Sequence, residues 1–205
     1  MNMQDAEKKI EQALWIAHTL FQRRMATGST ANISFRVNED VYISGSGTCF
    51  GTLRKEEFAK ISLTGERKNG VKPSKEYPMH LMFYEKDPNI QGVIHTHSFY
   101  SVLYSCLKQE NDEDILPPYT PYLKRKVGKI GIIPYASPGS ERLFRLVREN
   151  INKSEAFLLK QHGPIVPGKT LMDAFYGLEE LEESAKLAWF LKGDKKILEI
   201  QKETE

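Results

Sequence analysis

Gly92-Val93-Ile94-His95-Thr96-His97 is rich in β-branched residues and runs directly into the apolar stretch 98–107, so it reads as a short strand followed by a helix. The same alternation continues in both directions. Toward the C-terminus, strands are expected at 130–135 and 156–160, with a helix at 141–150 between them. The second strand ends in Gln161-His162-Gly163-Pro164. A long helix then spans 170 to about 191, opened by the capping pair Thr170 and Asp173, striped by Leu171, Ala174, Phe175, Leu178, Leu181 and Ala185, and closed by Gly193. Residues 111–121 read as an acidic, proline-bearing loop.

Toward the N-terminus, Pro73-Ser74 opens a helix in which Ser74 is the expected cap, Glu76 lies at the start and Pro78 is tolerated in the first turn. Before it come a strand at 60–63, a short helix at 53–59, the glycine-rich loop Ser44-Gly45-Ser46-Gly47, and two β-rich runs, 31–37 and 41–44, joined as a hairpin. The first helix covers 5 to about 25, with Asp5 as its cap and Ile10, Leu14, Ala17, Leu20 and Phe21 on its inner face. Strands alternating with helices predict one α/β domain over 1–205, its helices covering a central sheet. No repeat, linker or low-complexity tract interrupts it.

Composition narrows the function. With 29 basic and 27 acidic residues interleaved, the net charge is only +2, and no basic block with aromatics points to nucleic acid. Cys49 and Cys106 lack metal or disulfide spacing, in keeping with a reducing cytoplasm. Asp5, Glu7, Lys8, Lys9 and Glu11 stand where a signal peptide would need apolar residues, and no membrane span is expected.

In an extended strand His95 and His97 project to the same face and can converge on one ion. His162, at the end of a second strand, supplies a third imidazole. Three protein nitrogens leave a coordination position for substrate, the pattern of a catalytic site. His80 lies four residues after Glu76 on the same helix face; it and His18 read as packing residues or as braces behind the ligands. Three loops have the glycine and hydroxyl content that aims backbone N–H groups at an anion: Thr27-Gly28-Ser29-Thr30 with Asn32, Ser44-Gly45-Ser46-Gly47, and Pro73-Ser74-Lys75.

Taken in order, Ala31-Asn32-Ile33-Ser34, Ser44 to Gly47, Lys72-Pro73-Ser74-Lys75-Glu76, Val93-Ile94-His95-Thr96-His97 and Gln161-His162-Gly163-Pro164 resemble the class II aldolase/adducin family over nearly the whole chain. The resemblance implies a three-layer α/β domain with a central mixed sheet. It makes His95, His97 and His162 ligands of one divalent cation per subunit, zinc by expectation, with Glu76 as the acid/base that can also ligate. Asn32, Ser46, Gly47 and Ser74 would bind a substrate phosphate. It further implies a cytoplasmic homotetramer with active sites between subunits, in which Tyr122 reaches a neighbouring site as proton donor.

Within the family, the runs around Ala26, Lys72, Pro121-Tyr122 and Val127-Gly128-Lys129 look most like the branch that decarboxylates 3-oxo-tetronate 4-phosphates. Lys75, where typical aldolases have serine, could meet a substrate carboxylate. Ala31 and Gly45 also depart from the aldolases' glycine and proline. Decarboxylation of such an acid and retro-aldol cleavage of a ketose 1-phosphate, as in fuculose 1-phosphate aldolases, lead to the same enediolate, so both reactions remain open, as do epimerase and dehydratase chemistry. A non-catalytic scaffold of the adducin type is disfavoured, because all three histidines and Glu76 are present.

Overall fold

The computed structural model describes residues 3–193, so both ends of the expected 1–205 domain lie outside the described residues. β1 (Asn32–Val37) and β2 (Asp40–Ser44) form the expected hairpin, with Asn38 in the left-handed conformation that tightens its turn. β3 (Phe58–Ser62) extends it, β4 (Gly92–His95) packs on its other side, and β5 (Ile130–Ile133), β6 (Ala156–Leu159) and β7 (Gly163–Gly168) complete one sheet. The strand order is β3-β2-β1-β4-β7-β6-β5, and every pairing is antiparallel except β5 with β6. The sheet is therefore mixed.

Side chains alternate across this sheet, and each face has its own core. On one face Ile33, Phe35, Ile94, Leu158 and Val166 pack against α1 (Met3–Gln22) and α6 (Leu171–Leu191), flanked by α3 (Phe99–Ser105) and α4 (Tyr122–Lys126). On the other, Val41, Ile43, Val93, Phe157 and Ile165 meet Met79, Met82 and Phe83 of α2 (Tyr77–Lys86) and Leu143, Phe144 and Val147 of α5 (Glu141–Asn150). This is the three-layer α/β arrangement expected. Burial of a side chain such as Phe35 stabilises by about 1.5–3 kcal/mol, so the paired cores hold the layers together.

Several boundaries differ from the expected ones for physical reasons. Asp5 lies inside the first turn of α1 rather than capping it, where its charge still complements the helix dipole. α1 stops at Gln22, and Arg24 takes a left-handed conformation. The helix expected at 53–59 is one 3-10 turn, Lys55–Glu57, because Phe58 and Ala59 are drawn into pairing with Ser44 and Ile43. Ser74 is not the cap of α2: its N–H donates to Ser44 O at 3.1 Å, and Glu76 occupies the cap position with Pro78 in the first turn. Thr170 does cap α6, accepting from Asp173 N at 3.0 Å.

β7 and α4 were not expected. β7 matters most, because it lies between β4 and β6 and returns the chain from His162 along the strand that ends in His95. Its first residue sits against the loop beyond β4: a Cβ on Gly163 would come within 2.1 Å of Thr96 O and 3.2 Å of His97 Cα. Gly163→Ala should therefore destabilise the protein by about 1–3 kcal/mol or more in urea unfolding, as overpacking against backbone does. Gly70→Ala, where a Cβ meets nothing within 4 Å, should change stability little, and equal effects would refute the close-approach argument.

Candidate metal centre and active site

His95 is the last residue of β4 and is fully buried. Its Nδ1 lies 2.8 Å from Pro164 O, which can only accept, so the proton resides on Nδ1 and Nε2 presents its lone pair to the site. His97 lies beyond the strand, not within it as the alternation argument assumed. The ladder nonetheless continues one residue further, since Thr96 N donates to Pro164 O at 3.3 Å, and His97 arrives on the same side. His162 follows β6 at a tight turn in which Gln161 has a left-handed backbone.

The helix α3 braces both ligand segments. Near His97, the buried Glu182 of α6 accepts from Tyr100 N, Ser101 N and Ser101 Oγ at 2.6–2.9 Å. At its other end, Ser105 Oγ accepts from Gln161 N at 3.0 Å. Neither tie was expected from sequence, although a glutamate beside the apolar stripe of α6 was the available cue.

The three rings lie with centroids 4.7–5.2 Å apart, and their candidate ligand atoms are all within 4.8 Å of one another. Glu76 closes the group: Oε2 is 3.5 Å from His95 Nε2 and Oε1 is 3.4 Å from His162 Nε2. These distances suit ion pairs, but burial holds His95 and His162 down to about 3 and lowers His97 as well, so the imidazoles are neutral near pH 7. A carboxylate and neutral imidazole lone pairs thus face one another. His95 Nε2, His97 Nε2, His162 Nε2 and Glu76 Oε1 are buried without hydrogen-bond partners among the described residues. Such an electron-rich set fits a divalent cation, which needs deprotonated nitrogen and oxygen donors.

A pocket of about 300 Å³ opens beside this group. His97, His162 and Glu76 line it, together with Ser29 and Thr30, Ser46 and Gly47, Ser74 and Lys75, so all three anion-type loops meet at one place. Two of them are tied by backbone: Ser46 N donates to Lys72 O at 2.8 Å, and Gly45, whose added Cβ would lie 2.8 Å from Glu57 O, bridges Pro73. Asn32 lines the pocket too, and its Nδ2 donates to Glu76 Oε2 at 3.1 Å. Lys75 is close enough for its charge to lower His97 and His162. Its stem packs on Gly139, and neighbouring Pro138 lines the pocket, a wall that no motif foretold. Tyr122 is exposed on α4 and does not line the pocket of its own chain.

A family model, the class II aldolase and adducin N-terminal domain, matches residues 11–189. The chain belongs to this family. The 3-oxo-tetronate 4-phosphate decarboxylase of Pectobacterium atrosepticum is 42% identical to this class II aldolase relative over 87% of its chain and 82% of the decarboxylase. The L-fuculose phosphate aldolase of Methanococcus vannielii is 34% identical over 87% and 94% of the two chains. Among solved structures, YgbL from Escherichia coli superimposes with a TM-score of 0.89 at 36% identity, covering 94% of this chain and 93% of YgbL.

Class II aldolases are metal-dependent, and here His95, His97 and His162 can hold the ion. Two of the other candidate residues now have a structural place: His18 Nε2 meets Leu53 O at 3.0 Å, away from the site, whereas His80 is hydrogen-bonded to Asn32 behind it. If the three imidazoles share one ion, His97→Ala should copurify with far less metal, whereas Glu76→Gln should retain it. Elemental analysis of the purified variants decides: a full equivalent of tightly bound metal in His97→Ala would overturn the ligand set.

Proposed function

We propose that this protein is a metal-dependent carbon–carbon lyase that decarboxylates a 3-oxo-tetronate 4-phosphate to dihydroxyacetone phosphate and carbon dioxide. The observation that carries the reading is the shared pocket, lined by His97 and His162 of the metal-type histidines, by Glu76 and Lys75 and by all three phosphate-type loops. The relatives named decarboxylases support the choice of substrate.

In this reading the substrate phosphate is held by Ser46, Gly47 and Ser74, with the Asn32 amide beside them. Lys75 receives the carboxylate, its ammonium positioned by the stem's packing on Gly139. The bond between the carboxylate carbon and its neighbour breaks, its electron pair passes into an enediolate, and carbon dioxide leaves. A divalent cation held by His95, His97 and His162, zinc by preference for three nitrogen ligands, supplies Lewis-acid stabilisation of the developing negative charge. Glu76 carries the proton that the product carbon takes up, so one proton is consumed for each carbon dioxide released.

The protein acts in the cytoplasm as a homotetramer, with Tyr122 of one subunit reaching the pocket of another as the alternative to Glu76 for delivering that one proton. Phe99, Tyr122 and Phe190 are each more than half exposed and would be covered by such an assembly. Among the described residues no helix is long and apolar enough to cross a membrane.

Metal-loaded protein should release carbon dioxide and dihydroxyacetone phosphate from 3-oxo-tetronate 4-phosphates without producing an aldehyde. Aldehyde release from ketose 1-phosphates, with no carbon dioxide from the acid, would establish the aldolase instead. Lys75→Ser should impair the sugar-acid phosphate selectively, and an equal loss for neutral sugar phosphates would remove the carboxylate role. Glu76→Gln should lose about 10²-fold or more in turnover while keeping its metal; near-normal turnover would exclude it as the proton carrier.

A further inference from the structure

Behind the pocket wall, five polar side chains form an unbroken buried line. Tyr84 Oη lies 2.7 Å from Ser34 Oγ, Ser34 Oγ is 2.8 Å from His80 Nδ1, His80 Nε2 is 2.5 Å from Asn32 Oδ1, and Asn32 Nδ2 is 3.1 Å from Glu76 Oε2. Tyr84, Ser34, His80, Asn32 and Glu76 are each at most 3% exposed. None of the chemistry proposed above requires Tyr84, Ser34 or His80.

The direction of every proton in this line follows from its end at Glu76. Glu76 as a carboxylate only accepts, so Asn32 must turn its NH2 toward it and its carbonyl toward His80. His80 Nε2 must then carry a proton, and Nδ1 must accept one from Ser34, whose oxygen in turn accepts from Tyr84. Each O–H or N–H points toward Glu76. We infer that His80 is a positioning residue: as the neutral Nε2–H tautomer it locks the Asn32 carboxamide so that its NH2 faces Glu76 and the pocket. A flipped amide would set its oxygen against the carboxylate and lose a donor from the pocket wall.

This inference rests on the reading of Asn32 and Glu76 as site residues, but its first test needs no turnover. In metal-loaded protein labelled with 15N-histidine at pH 7.5, the signals lost in His80→Gln should show a proton on Nε2 and a bare Nδ1. A proton on Nδ1 would overturn the inference whatever reaction the protein performs.

The second test separates positioning from support of the fold. Glutamine can place an N–H where Nε2 stands, whereas asparagine reaches only the Nδ1 position. His80→Gln should therefore keep most of kcat, while His80→Asn should lose roughly tenfold to a hundredfold in kcat, in the range found for groups that orient site residues, with similar Tm in both. Equal losses in the two variants, or losses that track Tm, would reduce His80 to a structural group. In an Asn32→Ala background, His80→Asn should cost nothing further in kcat; a full second loss would show that it does not act through Asn32.

Discussion

The antiparallel placement of β4 between β1 and β7 is the constraint from which the site follows. Its register sets Asn32 opposite His95 on one side and Ile165 opposite His95 on the other. Because side chains alternate, Asn32, Ser34 and His95 all face α2, which carries His80 and is preceded by Glu76. A slip of one residue in either pairing would turn His95 into the opposite core. The same pairing brings Pro164 O within reach of His95 Nδ1 and so selects the nitrogen available to a ligand.

What this framework holds is unfavourable on its own. Buried acceptors without partners cost about 1–3 kcal/mol each, and here several face one another around Glu76. The surrounding order explains how they persist: α3 is tied at both ends, the loop residues 44–47 and 72–74 are sewn together by backbone, and Gly163 admits no side chain. A bound cation would offset the cost and couple its own affinity to the stability of the fold. The site is thus held by the ties of the segments around it rather than by contacts among the ligand atoms themselves.

Much of this was legible in the chain because its signals are local. His95 and His97 could be paired from strand alternation, and Ser46, Gly47 and Ser74 could be grouped as anion-binding loops from their composition. His162 could be added as a third imidazole from its place after an apolar strand and Asn32 from its place beside the loop 27–30, while family resemblance gave Glu76 its role. β7 escaped because Gly163-Pro164-Ile165-Val166-Pro167-Gly168 is bounded by the residues that normally exclude a central strand. It forms one all the same, since the Pro164 carbonyl accepts from Thr96 N and from His95 Nδ1 and so holds the strand start against the end of β4. The partners of Glu182, Pro138 and His80 were not legible for a different reason: they are distant in sequence, and only the fold brings them together, although His80 itself could be read as packing or as a brace behind the ligands.

The central claim is that one pocket holds both the ion and the phosphorylated substrate. It is tested most directly by a crystal structure of the zinc-loaded protein with dihydroxyacetone phosphate, using anomalous scattering at the zinc edge. The account predicts a single anomalous peak shared by His95, His97 and His162, with the phosphate on Ser46, Gly47 and Ser74. A peak held by other residues, or a phosphate bound away from these loops, would contradict it.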